Sequence, residues 1–567
     1  MNKTLLTLLL VFLIKPVLSI AQIAPFPYSI QKEVVADTAM VVSAHPLATK
    51  VGVDILKKGG NAIDAAVAIQ FALAVVYPQA GNIGGGGFLI YRDAKGKKTL
   101  ALDYREVAPA AATETMYLDS AGNVIPNISR LGALACGVPG TVDGMWQAQF
   151  YHGRLNWGEV VTPAIDLAEK GFRITEQEAQ NLNAEKLTFV RQSSLSPAFV
   201  KYERWKAGDW LVQKELAQTL RRIAGDGRDG FYAGATASLI VKEMEKKGGL
   251  ITLEDLKNYK SVWRTPLEFD WKGHHIITMP PPSSGGIIIR QLLNMVGDYP
   301  LKDYGFHSAA AVHLMAEAER RAFADRAEHM GDPDFWKVPL KTLTDSAYIK
   351  SRMANFKPDT ITDNWDVYAR KIKESEETTH FSVVDREGNA VSVTTTLNDS
   401  YGSRTVVAGA GFILNNEMDD FSAKPGAANL YGAVGGKANA IAPHKRPLSS
   451  MTPTIVTKGG KNWLVVGTPG GTTIPTSVFQ IIVNVSQFGL TLPEAVKAKR
   501  FHHQWKPNQI SAEEGCFSPE VEAKLTRLGH RINYRSPIGR VEAIVRLANG
   551  KWQGVADERG DDSAEGY

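Results

Sequence analysis

Two short runs of alternating apolar and polar residues, at positions 381–385 and 390–397, lie on either side of a polar stretch. Alternation with a period of two is typical of a β-strand. The stretch between the runs contains Gly388 and Asn389, which are common in tight turns. The pattern predicts a β-hairpin.

Threonines cluster at the open end of this predicted hairpin, on both strands. Folding the chain at the turn places Thr378 opposite Thr396 or Leu397, and Thr379 opposite Thr395 or Thr396. Directly opposed Cβ atoms lie about 4.5–5.5 Å apart, so two hydroxyl groups can form a hydrogen bond there. Threonine is also a good strand former, and on that interpretation the cluster has no function.

A longer run, AIDAAVAIQFALAVVY, is apolar on nearly all sides, and Asn61 and Asp64 are placed to cap its start. A helix of this kind must be buried. Four glycines at positions 84–87 follow and precede an apolar strand. The motifs of a phosphate loop and of a dinucleotide site are both absent from the sequence around them. We therefore expect these glycines to permit close backbone packing.

The middle of the chain, residues 155–357, is rich in helix-forming residues. Its clearest predicted helix is HSAAAVHLMAEAERRAFADRAEHMGDP, closed by Gly331 and Pro333. Residues 358–377 are polar and charged, which predicts an exposed linker. Strands and turns dominate from Thr378 onward. This order predicts an α+β fold in which stacked sheets lie between helical layers.

The N-terminus is typical of a secretory signal, with Lys3 before an apolar run and with Ser19 and Ala21 as a small-x-small cleavage candidate. The run is shorter than the roughly 20 residues that span a bilayer, and no later segment of the sequence is long and apolar enough. We therefore expect a signal peptide at residues 1–21 and a periplasmic or secreted mature chain.

Composition excludes several classes of function. Hydrophobic residues make up 44% and charged residues 22% of the chain, as in an ordinary globular protein. The net charge of +5 comes from scattered lysines, which argues against a nucleic-acid partner. Cys136 and Cys516 are too few for a disulfide framework, and the sequence does not show whether they pair. The histidine pairs at 274–275 and 502–503 lack metal-motif spacing, so we expect no metal or cofactor.

The hairpin and the acidic linker before it suggest a break in the chain. If the bond between Glu377 and Thr378 is cut, Thr378 carries both a hydroxyl nucleophile and a free α-amine. A threonine whose own terminal amine acts as the base is a known activated nucleophile. An α-amine has an ordinary pKa of about 7.7–8.0, whereas an internal amide cannot act as a base. Thr396, across the hairpin, would orient the hydroxyl.

Several motifs resemble those of bacterial γ-glutamyltransferase (γ-glutamyltranspeptidase), a family of N-terminal-nucleophile hydrolases. They are TTHFSVVDREGNAVSVTTTLN, LNNEMDDFSAKPG, KRPLSSMTPT, GTPGGTT, GNIGGGGF and LDYREVAPA. The resemblance runs from about Val34 to Tyr567 and keeps the order and spacing of the family. It implies a four-layer αββα sandwich formed jointly by a large subunit, residues 22–377, and a small catalytic subunit, residues 378–567.

The resemblance also implies a role for individual residues. Thr378 would be the nucleophile, freed by self-cleavage after Glu377, and Thr396 would hydrogen-bond it. An α-amino acid substrate needs a cation and hydroxyl groups for its carboxylate, and carboxylates for its ammonium. The other implied positions are Gly470 and Gly471 for the oxyanion hole, Arg105, Ser449 and Ser450 for the α-carboxylate, Asn398, Glu417 and Asp420 for the α-ammonium, and Tyr431 in a loop covering the site.

The activity implied by the resemblance is transfer of the γ-glutamyl group of glutathione, or of another γ-glutamyl amide, to water or to an amino acid or peptide. Cephalosporin acylases share the nucleophile and fold, but their glutaryl substrate has no amine, so Glu417 and Asp420 favour the amino acid donor. A further alternative is an exported binding protein that keeps the pocket but neither cleaves itself nor turns over substrate. Taken singly, the two acids could also be solvated loop residues and Arg105 part of a structural ion pair.

Overall fold

The predicted hairpin forms the centre of a seven-stranded antiparallel sheet. The computed structural model describes residues 28–95, 98–362, 378–424, 426–427, 429–430 and 432–567. Within them, Thr378 pairs with Thr396 and Thr379 with Thr395, which confirms one of the two registers expected from the sequence. The turn follows Asp385, whose backbone N–H donates to the carbonyl oxygen of Asn389 at 3.0 Å.

The strands of the described residues are β1 (Glu33–Ala36), β2 (Met40–Ser43), β3 (Gly86–Arg92), β4 (Thr99–Asp103), β5 (Phe172–Arg173), β6 (Trp210–Leu211), β7 (Val262–Arg264), β8 (Leu267–Trp271), β9 (His274–Thr278), β10 (Thr378–Val384), β11 (Ala390–Thr396), β12 (Thr454–Lys458), β13 (Lys461–Gly467), β14 (Phe501–His502), β15 (Ile510–Glu513), β16 (Ile532–Arg535), β17 (Glu542–Arg546), β18 (Trp552–Ala556) and β19 (Ser563–Gly566).

The α-helices of the same residues are α1 (Pro46–Lys57), α2 (Ala62–Val76), α3 (Thr141–His152), α4 (Trp157–Lys170), α5 (Glu176–Gln192), α6 (Lys214–Asp226), α7 (Asp229–Tyr232), α8 (Gly234–Lys247), α9 (Leu253–Asn258), α10 (Gly285–Gly297), α11 (Leu301–Tyr304), α12 (Ala309–His329), α13 (Leu340–Leu343), α14 (Ser346–Arg352), α15 (Ile474–Ser486), α16 (Leu492–Lys497) and α17 (Pro519–Arg527).

Two seven-stranded sheets make up the two inner layers. The first has the strand order β19-β2-β10-β11-β3-β4-β7, and the second has the order β1-β18-β17-β13-β12-β9-β8. Every pairing within these two sheets is antiparallel. A small sheet, β14-β15-β16, and the pair β5-β6 lie apart from them.

Three apolar cores hold the layers together. The core between the sheets joins Phe88 and Ile90 of the first sheet to Ile455 and Ile544 of the second. A second core packs the outer face of the first sheet against α2 and the helices that follow it, and a third packs the outer face of the second sheet against α10, α12 and α15. The order of layers is therefore helix, sheet, sheet, helix, which confirms the αββα architecture.

Both sheets combine strands from before and after residue 377. In the first sheet β10, β11 and β19 lie beside β2, β3 and β4, and in the second β12 pairs with β9 while β18 pairs with β1. Neither part of the chain contains all the strands of either seven-stranded sheet or all the residues of any of the three cores. A cut between the two parts would therefore leave them held together by both sheets.

Local sequence signals account for the buried helix α2. The Asn61 side chain accepts from the N–H groups of Ile63 and Asp64, and the Asp64 carboxylate accepts from the Asn61 N–H, which forms a capping box. All 15 residues of α2 are buried, as the absence of a polar face predicts. The longest predicted helix also forms, and ends at His329, just before Gly331.

The four-glycine run brings the start of β3 against neighbouring backbone. A Cβ atom added to Gly84 would lie 2.1 Å from the carbonyl oxygen of Ile413, and one added to Gly85 would lie 2.1 Å from that of Thr396. Separations this short are well inside van der Waals contact. The glycines thus permit close backbone packing beside the end of β11, as the sequence predicts.

The remaining sequence expectations concern the two cysteines, the linker, the signal and membrane spans. Cys136 and Cys516 are both free and buried, and they belong to different cores. Residues 358–360 of the expected linker are exposed, whereas 363–377 and the signal at 1–21 lie outside the described residues. No helix in the described residues combines the length and the apolar character needed to cross a bilayer.

Glu542 at the start of β17 is a buried acid that neighbours a second one. Its side chain is fully buried, and it forms a side-chain hydrogen bond with the second acid, Asp562. Burial raises the pKa of Glu542 well above its usual range, and the nearby Asp562 raises it further. The folded protein therefore holds a proton here that the unfolded chain, with an ordinary glutamate, releases above about pH 4.3.

This proton makes the stability of the wild type fall as pH rises. Because the folded state binds more protons, each pH unit above about 4.3 costs up to about 1.4 kcal/mol until the folded pKa is reached. The side chain introduced by Glu542→Gln does not titrate. We therefore expect the free energy of unfolding of this variant to equal that of the wild type near pH 4.5 and to exceed it increasingly as the pH rises toward about 8. Thermal unfolding across this range, with the exposed Glu514→Gln as control, measures the difference. A difference in the free energy of unfolding that stays constant with pH would contradict the raised pKa of Glu542.

Candidate active site

The open end of the hairpin places two hydroxyl groups side by side. Thr378 Oγ1 lies 3.4 Å from Thr396 Oγ1, and both residues are buried in the first sheet. Thr396 Oγ1 accepts a hydrogen bond of 2.7 Å from the backbone N–H of Asn398. That contact orients the Thr396 hydroxyl at the point where β11 ends.

Asn398 turns the chain out of β11 in a left-handed conformation, with φ of 77°. Asparagine tolerates this region better than most residues. Its side-chain amide donates to the carbonyl oxygen of Asn416 at 3.0 Å, which ties the turn to the segment that carries Glu417 and Asp420. The nucleophile candidate and the acidic segment are thus fixed to each other through Asn398.

A glycine turn after β13 closes another side of the site. Gly470 has φ of 136° and Gly471 has φ of 54°, both in the region that favours glycine. A Cβ atom on Gly470 would lie 2.4 Å from Thr473 Oγ1, which itself donates to the Gly470 carbonyl oxygen. Among the described residues, no acceptor binds the backbone N–H of Gly470 or Gly471. These donors remain available to a ligand.

Arg105 lies at the centre of a buried ionic cluster. Its Nη1 lies 2.6 Å from Glu417 Oε2 and 3.6 Å from Glu106 Oε2, and its Nη2 donates to Asp420 Oδ2. The sequence suggested that Arg105 would join Ser449 and Ser450 at one end of a substrate. In the structure, its guanidinium contacts the two acids that were expected at the other end.

The acids of this cluster do not ionise freely. Burial holds the pKa of Glu106 at about 8 and that of Glu417 well above its usual range, although the charge of Arg105 lowers both. The Glu106 charge also raises the pKa of Glu417. The cluster therefore holds a proton near neutral pH, and Arg105 balances less negative charge than three carboxylates would carry.

His380, two residues after Thr378, is a neutral structural side chain. The Ser382 hydroxyl donates to the carbonyl oxygen of Glu542 at 3.0 Å, so it accepts from His380 Nε2 at 3.1 Å. His380 Nδ1 then accepts from Thr394 Oγ1 at 2.9 Å. Burial lowers the pKa of His380 to about 3. His380 is thus uncharged near neutral pH and supports the strand rather than supplying a charge.

The histidine pair at 502–503 also has structural contacts. Thr472, next to the glycine turn, donates to Gln504 Oε1 at 2.6 Å, and the same oxygen lies 2.9 Å from His502 Nε2. His502 Nδ1 contacts Thr476 Oγ1 at 2.9 Å. This buried chain of hydrogen bonds braces the glycine turn. Within the described part of the chain, no group of three or more metal-ligating side chains occurs.

These elements surround one cleft. Its lining includes most of the site residues expected from the sequence, namely Arg105, Thr378, Thr396, Asn398, Asp420, Ser449, Ser450 and Gly471. Gly470 adjoins Gly471 in the turn, and Glu417 reaches the cleft through Arg105. Tyr431 and Glu377 lie outside the described residues.

Sequence reasoning missed five lining residues, Arg326, Asn429, Met451, Thr472 and Ile474. The signal for Arg326 was present, because it follows Ala318 and Ala322 at spacings of four and so lies on the same face of α12. Both alanines are fully buried. An arginine on a buried face indicates a specific contact rather than scaffold.

Comparison with known proteins agrees with this geometry. The family model for gamma-glutamyltranspeptidase matches residues 48–567. The glutathione hydrolase proenzyme of Escherichia coli (strain K12) is 47% identical over 552 residues, which cover 96% of this chain and 95% of that protein.

Two solved structures are also similar. The gamma-glutamyltranspeptidase of Helicobacter pylori is 47% identical, with a TM-score of 0.55 over 56% of this chain and 92% of that one. A cephalosporin acylase from Bacillus halodurans has a TM-score of 0.82 at 26% identity, over 96% of this chain and 98% of that one. Since the family model and the Escherichia coli proenzyme both match nearly the whole chain, this protein belongs to the gamma-glutamyltranspeptidase family.

Proposed function

We propose that this chain is the precursor of a self-cleaving γ-glutamyltransferase and glutathione hydrolase. The observation that carries the proposal is the position of Thr378, whose hydroxyl opens into a cleft that contains both guanidinium and carboxylate groups. Such a cleft suits an α-amino acid, which carries both charges on one carbon. The membership of the family and the likeness to glutathione hydrolase proenzymes support the same activity.

Maturation consists of cleavage between Glu377 and Thr378, which gives a large subunit of residues 22–377 and a small subunit of residues 378–567. The mixing of strands from both parts in both sheets supports a heterodimer that stays assembled after the cut. Cleavage converts the Thr378 amide into an α-amine. With an ordinary pKa of about 7.7–8.0, part of this amine is unprotonated at neutral pH and can act as a base.

The reaction proceeds in two steps. Thr378 Oγ1 attacks the γ-carbonyl carbon of glutathione or another γ-glutamyl amide, and the Thr378 amine accepts its proton. The N–H groups of Gly470 and Gly471 stabilise the oxyanion. The amine of the substrate amide then leaves after taking the proton from the Thr378 ammonium. Water or the amine of an acceptor then attacks the γ-glutamyl ester, which releases glutamate or a new γ-glutamyl amide and restores the hydroxyl.

Substrate binding uses the two kinds of charge in the cleft. Arg105, Ser449 and Ser450 are assigned to the α-carboxylate, whereas Asn398, Glu417 and Asp420 are assigned to the α-ammonium, with Tyr431 in the covering loop. In the structure Arg105 contacts Glu417 and Asp420. An incoming amino acid could replace these internal contacts with its own carboxylate and ammonium.

An acylase for glutaryl substrates is the other candidate that the fold allows, since a cephalosporin acylase is among the similar structures. A glutaryl group has no ammonium to pair with Asp420, which would then keep only internal contacts such as that with Arg105. The acidic segment therefore favours the γ-glutamyl donor. The signal-like sequence at residues 1–21 supports export to the periplasm or the medium.

Product analysis with glutathione tests this function. We expect the purified protein to release glutamate from glutathione, and to form a γ-glutamyl dipeptide when a dipeptide acceptor is added. A γ-glutamyl anilide should be hydrolysed at least about 100-fold more efficiently than the matching glutaryl anilide, because the glutaryl group loses a charged hydrogen bond. Preference for the glutaryl anilide would indicate an acylase, and no turnover of either would indicate a binding protein.

A further inference from the structure

Arg326 brings a second guanidinium to the cleft. Arg326 lies in the last turn of α12 and is 7% exposed. It lines the cleft together with Arg105, Ser449 and Ser450. A buried arginine normally contacts a carboxylate, because an unpaired buried charge is costly. Arg500 is an example, with its Nη2 2.6 Å from Asp557 Oδ2.

The guanidinium of Arg326 contacts hydroxyl groups instead. Its Nε donates to Ser284 Oγ at 3.1 Å, and its Nη2 donates to Ser450 Oγ at 3.3 Å. No carboxylate of the described residues lies within 4.0 Å of it, whereas Arg105 is held by Glu417 and Asp420. Of the two cations in the cleft, Arg326 is thus the one that no acid of the described residues contacts.

Arg326 remains charged under ordinary conditions. Burial lowers its pKa from the usual arginine value to about 10, and the neighbouring charge of Arg105 contributes to the decrease, while Asp420 opposes it. A pKa of about 10 still leaves the group protonated near pH 7. The cleft therefore contains a permanent positive charge that a bound anion would neutralise.

The hydrogen bonds of Arg326 also determine which way two hydroxyl groups point. A guanidinium can only donate, so Ser284 Oγ and Ser450 Oγ must both accept from it. Ser284 then donates its own proton to the carbonyl oxygen of Ser449 at 2.8 Å. Ser450 Oγ has no such acceptor among the described residues, so its O–H is free to donate to a ligand.

Ser449 is arranged in the same way by a different donor. Its Oγ accepts from the backbone N–H of Met451 at 3.1 Å, and among the described residues it has no acceptor of its own. Ser449 and Ser450 therefore offer two O–H donors beside one unneutralised guanidinium. Two donors and a cation are the groups that bind a carboxylate.

We propose that Arg326 is a positioning residue that makes this end of the cleft specific for the α-carboxylate of the γ-glutamyl donor. It acts by fixing Ser450 as a hydrogen-bond donor and by supplying the positive charge behind it. This inference rests on the proposed function and assigns to Arg326 a part of carboxylate recognition that the sequence motifs assign to Arg105 and the serines alone.

The test compares two substrates that differ only in the α-carboxylate, γ-glutamyl-p-nitroanilide and 4-aminobutyryl-p-nitroanilide. For Arg326→Gln we expect kcat/KM with the first substrate to fall by about 30-fold, mainly through KM, as for a lost hydrogen bond to a charged group. With the second substrate we expect a change of less than about threefold, because it has no carboxylate to lose. The inhibition constant of free L-glutamate should rise with the KM of the first substrate.

Arg326→Lys provides the matched control. It keeps the positive charge but lacks the planar fork that reaches both Ser284 and Ser450, so we expect a smaller loss that is still selective for the carboxylate-containing substrate. If Arg326→Gln does not accumulate as cleaved protein, the lysine variant decides the question by the same ratio. Equal losses with both substrates, or no loss with either, would overturn the inference. Failure of the wild type to hydrolyse γ-glutamyl-p-nitroanilide would instead refute the proposed function.

Discussion

Thr378→Ala should accumulate as one uncleaved chain and should show no measurable hydrolysis of a γ-glutamyl anilide. The variant lacks the hydroxyl that attacks the preceding carbonyl during maturation, and the same hydroxyl is the nucleophile toward substrate. Loss of a nucleophile of this kind lowers turnover by at least roughly 10³-fold. Denaturing gel electrophoresis and intact mass spectrometry measure cleavage, and release of the anilide measures turnover.

Two variants in the same strand serve as controls. Thr378→Ser keeps a hydroxyl at the mouth of the hairpin and should still cleave itself. Thr379→Val replaces a buried hydroxyl that forms no hydrogen bond with the described residues by a methyl group of similar size, so it should mature normally. A Thr378→Ala protein that yields two chains with a cut before residue 378 would refute the mechanism.

The features that local sequence determines were predicted correctly. The register of β10 and β11 follows from one turn and from alternation in two short runs, and the structure shows the pairing of Thr378 with Thr396. The burial of α2 follows from the lack of a polar face. The order of strands in the sheets depends instead on distant pairings such as Glu33 with Val555, and no local pattern specifies them.

The same distinction holds for the cleft. Motifs placed Thr378, Ser450 and Asp420 in one site, and all three line the cleft. The contact of Arg105 with Asp420 joins residues that are 315 positions apart, and it depends on how the buried charges of the cleft are paired. Arg326 shares a face of α12 with two buried alanines, but many other polar residues of this helix are buried too, so the spacing alone does not show that Arg326 lines the cleft.

The acid that distinguishes the γ-glutamyl donor from a glutaryl group gives the second large expected effect. Asp420 lines the cleft, its Oδ2 accepts from Arg105, and its Oδ1 accepts from Asn429 Nδ2 at 3.2 Å. Asp420→Asn keeps the size of the side chain but removes the charge assigned to the substrate ammonium. We expect kcat/KM for a γ-glutamyl anilide to fall by about 100-fold or more, as when one member of a buried charged pair is removed.

The ratio between substrates tests this assignment more sharply than the loss itself. A glutaryl anilide has no ammonium, so Asp420→Asn should lower its hydrolysis much less, and the preference of the wild type for the γ-glutamyl anilide should shrink by about the same 100-fold. Asp419→Asn is the matched control, because the Asp419 carboxylate accepts from Ser129 Oγ at 2.6 Å and from the Leu430 N–H at 2.9 Å and does not line the cleft. That variant should change stability without changing the ratio. An unchanged ratio in Asp420→Asn would mean that the charge of Asp420 pairs only with Arg105, and that the substrate ammonium binds elsewhere in the cleft.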